Sequence, residues 1–97
     1  MSARSDAWAL ARDLEIVNEK GLHARASARF VEGVEAHDAE AEVEHEGMVV
    51  PADSIMGLLT LGAARGCVVR LRARGPEAET LVAALAALVA ARFGEVM

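Results

Sequence analysis

The sequence predicts an α+β open-faced sandwich, a four-stranded antiparallel sheet covered on one face by three helices. Stretches near residues 11–17, 39–46 and 67–74 alternate apolar and charged side chains with period 2, while 24–35 and 77–93 carry apolar residues at helical spacing. A glycine at 47 joins two of the strand-like runs as a hairpin. The resulting order, β-α-β-β-α-β-α, favours an antiparallel sheet with its helices gathered on one side.

The elements follow in order. Leu14 and Ile16 alternate with Asp13 and Glu15, giving a strand over 11–17 that Asn18 to Gly21 break. Residues 1–10 read as a flexible N-terminal extension and 11–97 as the domain. A helix runs from Ala24 to Glu35. Ala24, Ala28, Val31 and Glu35 share one of its faces, and Ser27, Phe30, Val31 and Val34 form its apolar stripe. AEAEVEHEG sets Ala39, Ala41, Val43 and His45 against Glu40, Glu42, Glu44 and Glu46, a strand with one wet face.

Gly47 then turns the chain into MVV, so 39–51 form the hairpin. Asp53 or Ser54 caps a short helix carrying Ile55, Met56, Leu58, Leu59 and Leu61, which Gly62 and Gly66 end. In CVVRLRAR, Cys67, Val69, Leu71 and Ala73 face the core. Arg70, Arg72 and Arg74 face solvent and pair across strands with the glutamates of 40–46. For the last helix, Pro76 takes the first helical position, with Glu77 and Glu79 in the first turn. Leu81, Val82, Leu85, Leu88, Val89 and Phe93 form its stripe, Arg92 lies in the last turn and Gly94 is the stop.

Composition narrows the function. Ninety-seven residues make one small domain, and an apolar fraction of 54% with only three aromatic residues requires a core of Leu, Val, Ile and Met. A net charge of −5 argues against a nucleic-acid partner and gives no support for an anionic membrane surface. The single cysteine, Cys67, excludes an internal disulfide, fits a reducing cytoplasm and reads as a buried, inert thiol. No signal segment or membrane-spanning run is visible, so the chain reads as cytoplasmic.

The chemistry centres on GLHARASARF, residues 21–30. A helix start offers unpaired backbone N–H groups and a partial positive charge. That field disfavours imidazolium, so His23 stays neutral and nucleophilic, and the same N–H groups would hold an anion attached to the ring. Arg25 adds a charge-assisted bond to phosphate oxygens. The arrangement suits phosphoryl transfer through a phosphohistidine. His37 and His45 stand at spacings that match no usual metal-ligand pattern, so no metal is expected. Without a GxGxxG or Walker loop, no cofactor is expected either.

GLHARASARFV resembles the active-site segment of the HPr family, the histidine phosphocarriers of the bacterial phosphoenolpyruvate-dependent phosphotransferase system. SIMGLLTLGAARG, residues 54–66, is similar to that family's regulatory-serine segment, at matching spacing. The resemblance covers roughly residues 12–93 and implies the same four-stranded, three-helix fold. It implies that His23 receives a phosphoryl group on Nδ1 from enzyme I, assisted by Arg25. The acceptor would be an EIIA-type domain of a sugar permease or of the nitrogen-related branch. It also implies that Ser54 is open to an HPr kinase/phosphorylase.

Three positions depart from the common pattern. Ala26 stands where most relatives have proline, which adds an N–H beside the site. Asp53 precedes Ser54 where a basic or neutral residue is usual, and Glu32 likewise replaces one. Ile55, Met56 and Leu59 read as a small docking patch together with Ala28 and Arg29, and Lys20, Arg25 and Arg29 as its positive rim. Two other readings compete. One is a non-enzymatic regulatory or ligand-binding sandwich in which His23 only caps a helix. The other is a small hydrolase with His23 as general base, for which no nucleophile, orienting carboxylate or oxyanion loop is visible.

Overall fold

A computed structural model describes residues 8–96. Strands β1 (Leu10–Glu15), β2 (Glu40–His45), β3 (Met48–Pro51) and β4 (Val68–Arg74) form one antiparallel sheet in the order β1-β4-β2-β3. Helices α1 (Ala24–Glu35), α2 (Ile55–Leu61) and α3 (Ala78–Ala90) complete the β-α-β-β-α-β-α order.

Period-2 alternation decides which side of the sheet is wet. Val43 lies between Val50 on β3 and Leu71 on β4, and all three are buried with Leu14, Val69 and Ala73. The next positions along each strand point the other way and carry charge. Arg72 binds Glu42 at 2.9 Å and also Glu44, and Arg74 binds Glu40 at 2.7 Å. Arg70 stands opposite Glu44 in the register but makes its bond on the other side. It faces Asp13 of β1 in the register and binds it at 2.9 Å, because β4 is flanked by β1 as well as β2. Solvent-screened pairs of this kind add little stability, so the ladder sets register more than it stabilises. Trp8 extends the same face, its ring 4.4 Å from the Arg74 guanidinium carbon.

The helices cover the apolar face. On α1, Ala26, Ser27, Phe30, Val31 and Val34 are buried, which adds Ala26 to the expected stripe. On α2, Leu58 and Leu61 are buried, while Ile55 and Met56 are 40% and 70% exposed. Ser54, not Asp53, is the N-cap of α2. Its hydroxyl accepts from Gly57 N at 2.9 Å, and Gly62 closes the helix at φ +64°. Loss of that cap in Ser54→Ala is expected to cost about 1 kcal/mol in urea unfolding, whereas Ser54→Asp, also a good cap, should stay near wild type.

The last helix departs most from expectation. It begins at Ala78 rather than at Pro76. Glu77 N donates to Asp38 O at 3.0 Å while the Glu77 carboxylate accepts from Asp38 N at 2.6 Å, so residue 77 is tied to the loop after α1. Arg92 and Phe93 are not in the helix. Ala91 caps it, and Arg92, Phe93 and Gly94 then form a 3-10 turn with φ of +59°, +55° and +80°. This reversal swings the Phe93 ring into the core, where it is fully buried. Leu88 is only half-buried, and Cys67, just before β4, is half-buried instead of fully enclosed.

Candidate functional site

The loop before α1 is fixed by its contact with the loop after α2. Leu22 N donates to Ala63 O at 3.0 Å, and Gly21 packs so closely there that a Cβ would stand 2.5 Å from Ala63 O. Gly21 also takes φ +65°, so only glycine fits without strain. Ser27, buried one turn into α1, returns a hydroxyl bond to Leu22 O at 3.3 Å. These contacts leave His23 as the N-cap of α1, with extended backbone.

The two ring nitrogens have different partners. Nδ1 accepts the backbone N–H of Arg25 at 3.3 Å, a long capping bond. Nε2 faces the Glu95 carboxylate. An acceptor at Nδ1 and a proton at Nε2 is the tautomer that satisfies both, and it leaves the Nδ1 lone pair directed at the helix start. The hydrogen-bond network thus assigns the ring proton to Nε2.

Glu95 is itself held. Its Oε1 accepts from Asn18 Nδ2 at 3.0 Å, and the same amide nitrogen donates to Gly21 O at 2.9 Å. Asn18 is fully buried. The Asn18 bond, then the His23 bond and the charge of Lys20, hold the Glu95 carboxyl below the ordinary carboxylate range against partial burial. A depressed carboxyl stabilises the fold above its unfolded value, and that contribution disappears as pH falls through the folded one. Glu95→Gln should therefore be less stable than wild type near neutrality and converge with it in acid, as followed by urea unfolding across pH.

Of the residues expected at the site, His23, Arg25, Ala28 and Arg29 share the first turns of α1. Arg25 and Arg29 are exposed and line one cleft with Lys20 and Glu95. The guanidinium of Arg29 lies against Gly94, where an added Cβ would stand 3.0 Å from its Nη1. Ile55, Met56 and Leu59 belong to α2, which packs on α1. Ser54 lies at the far end of α2 from Ala63, the residue that touches the His23 loop. His37 and His45 are engaged elsewhere, on Gly33 O at 2.7 Å and Val68 O at 3.4 Å.

Asn18 and Glu95 were not legible as site residues. Asn18 reads as a strand breaker. Glu95 is 72 residues from His23, and no local spacing links the two.

A family model described as "PTS HPr component phosphorylation site" matches residues 10–91. The chain belongs to the HPr phosphocarrier family. Phosphocarrier protein HPr of Cupriavidus necator is 42% identical over 86 residues, covering 89% of this chain and 97% of that protein. Phosphocarrier protein NPr of Klebsiella oxytoca is 37% identical over 83 residues, covering 84% and 92% respectively. Among solved structures, that of HPr from Thermoanaerobacter tengcongensis superposes with a TM-score of 0.86 at 39% identity, covering 91% of this chain and 99% of that one. The HPr fold expected from the sequence, four antiparallel strands under three helices, is the fold observed. Family membership places the chain among the phosphocarriers of the phosphotransferase system and disfavours a domain in which His23 merely caps a helix.

Proposed function

We propose that this HPr-family chain takes a phosphoryl group on Nδ1 of His23 from phosphorylated enzyme I and passes it to an EIIA-type domain. One observation carries the reading: Nδ1 stands as an acceptor at the head of α1 while Nε2 is held from behind by Glu95. In-line attack by the Nδ1 lone pair forms the N–P bond as the donor's bond to phosphorus breaks. The long bond from Arg25 N yields to the new bond, and the N–H groups of the first turn then meet the phosphoryl oxygens. The Arg25 guanidinium has no carboxylate partner among the described residues and is free to add a charge-assisted contact. Ala26, fully buried in that turn, keeps an N–H that proline would lack. Arg25 and the helix dipole stabilise charge that develops in the transition state.

Incubation with phosphoenolpyruvate and enzyme I, followed by intact mass, tests the reading. A single adduct that is labile in acid and stable in base, as a phosphoramidate is, supports it. No adduct on a folded sample overturns it. The lone cysteine and the relay itself fit a cytoplasmic protein, and no helix of the described residues is long and apolar enough to cross a membrane.

Enzyme I and the EIIA-type domain would dock on Ile55, Met56 and Leu59 with Ala28 and Arg29 beside them. Met56 supports this, since a flexible thioether that is 70% exposed can repack against more than one partner. Met56→Glu places an unpaired carboxylate in that contact, at a cost of about 1–3 kcal/mol, and should slow transfer from enzyme I roughly tenfold or more. Unchanged kinetics would remove α2 from the docking face. An HPr kinase/phosphorylase type of enzyme would modify Ser54, adding negative charge to the rim of the patch. Ser54→Asp should then accept phosphoryl groups more slowly at unchanged stability, by less than if Asp53 were not already beside it. Equal rates would leave Ser54 as a helix cap.

A further inference from the structure

The geometry points to Glu95, aimed by Asn18, as the positioning residue that keeps a proton on Nε2 of His23 while Nδ1 carries the phosphoryl group. The inference rests on the phosphocarrier reading and adds to it how readily the group leaves.

Attack by Nδ1 uses that nitrogen's lone pair, so a ring that keeps its Nε2 proton becomes a phosphoimidazolium with a positive charge. When the N–P bond breaks toward an acceptor, the bonding pair returns to Nδ1. A neutral imidazole departs, and no proton has to move. Once Nε2 has lost its proton, the same cleavage must expel an imidazolate, a far poorer leaving group. Whatever holds the Nε2 proton therefore sets the pH range over which the carrier can hand its cargo on.

Glu95 is placed to do this. Its carboxylate contacts Nε2, and its other oxygen is fixed by Asn18 Nδ2 at 3.0 Å. Both partners of that Nδ2, Glu95 and Gly21 O, are acceptors, so the Asn18 amide has one orientation that satisfies them. Its Oδ1 is buried without a protein partner, so the amide's placement serves its nitrogen. The other charged groups around the cleft are Lys20, Arg25 and Arg29 with Glu19. The three cations suit the phosphoryl oxygens but oppose a positive ring. Among the described residues Glu95 is the carboxylate bonded to the ring, and it offsets them. The backbone turn at Arg92, Phe93 and Gly94 delivers it there from the opposite end of the chain.

The test uses the full chain with 15N-labelled histidine, phosphorylated by phosphoenolpyruvate and catalytic enzyme I. Nε2 of the phosphorylated ring is followed by 15N NMR across pH, and loss of the phosphoryl group to water is timed over the same range. Glu95→Gln keeps the shape and an acceptor oxygen but removes the charge. Its Nε2 titration should move to lower pH, with phosphoryl loss about three- to tenfold slower on the alkaline side and equal to wild type in acid, since a hydrogen bond to a charged group is worth roughly twice a neutral one. Asn18→Ala should move the curve the same way by less. A loss of stability in Asn18→Ala with the wild-type curve unmoved would make Asn18 purely structural and overturn the pairing. An adduct with coincident curves in wild type and Glu95→Gln overturns the inference alone. Absence of any adduct on the wild type overturns the phosphocarrier reading, and the inference with it.

Discussion

His23→Ala is expected to take up no phosphoryl group from enzyme I while keeping its fold. Neither of the other two histidines is placed to substitute. His37 and His45 have their Nδ1 atoms on backbone carbonyls, outside the cleft formed by Lys20, Arg25, Arg29 and Glu95. Loss of a nucleophile removes the covalent step itself, so the drop should be total within detection rather than the tenfold scale of a docking variant. The cost to stability should be modest. The ring is half-buried, and its capping bond at 3.3 Å is long, so about 0.5–1 kcal/mol is expected. Intact mass and urea unfolding on the same sample measure both. An adduct that persists in His23→Ala would move the site elsewhere.

Phe93→Ala should be the most destabilising single truncation near the site, by about 3–5 kcal/mol in chemical unfolding. The ring is fully buried, and a small domain with three aromatic residues has little apolar volume to spare. Its backbone argues the same way. Phe93 and Arg92 both take left-handed φ, +55° and +59°, a conformation that costs non-glycine residues of order 1 kcal/mol each. Burial of the ring, worth about 2–3 kcal/mol, offsets that strain. Without it the turn should relax and Glu95 should lose its place on the ring. The variant is expected to share the pH behaviour of Glu95→Gln as well as being less stable, which NMR of any folded fraction would show.

The residues that spoke for themselves in the sequence did so through local patterns. The α1 limits, Ala24 and Glu35, follow from an apolar stripe that no other period explains, and the β2–β3 hairpin from strict alternation broken by Gly47. His23 was legible because a helix cap is a local event. The ends of α3 were not. Pro76 reads as a helix start because nothing in the nearby sequence shows that Asp38 captures Glu77 from another loop. Phe93 looked helical because its spacing continues the stripe, whereas the chain reaches the core by reversing direction. Arg70 stands opposite Glu44 as expected but bonds Asp13, since alternation gives the face of a strand but not its neighbour on the other side. Asn18 and Glu95 meet only through the tertiary fold.

In the proposed relay the two nitrogens of one imidazole are divided, Nδ1 for the phosphoryl group and Nε2 for Glu95. The most direct measurement is the 15N spectrum of the histidine-labelled chain after phosphorylation, in which coupling to phosphorus identifies the bonded nitrogen. Coupling is expected at Nδ1 of His23 alone, with a proton retained on Nε2 and lost at lower pH in Glu95→Gln. Phosphorus on Nε2, the atom that Glu95 occupies, would contradict it.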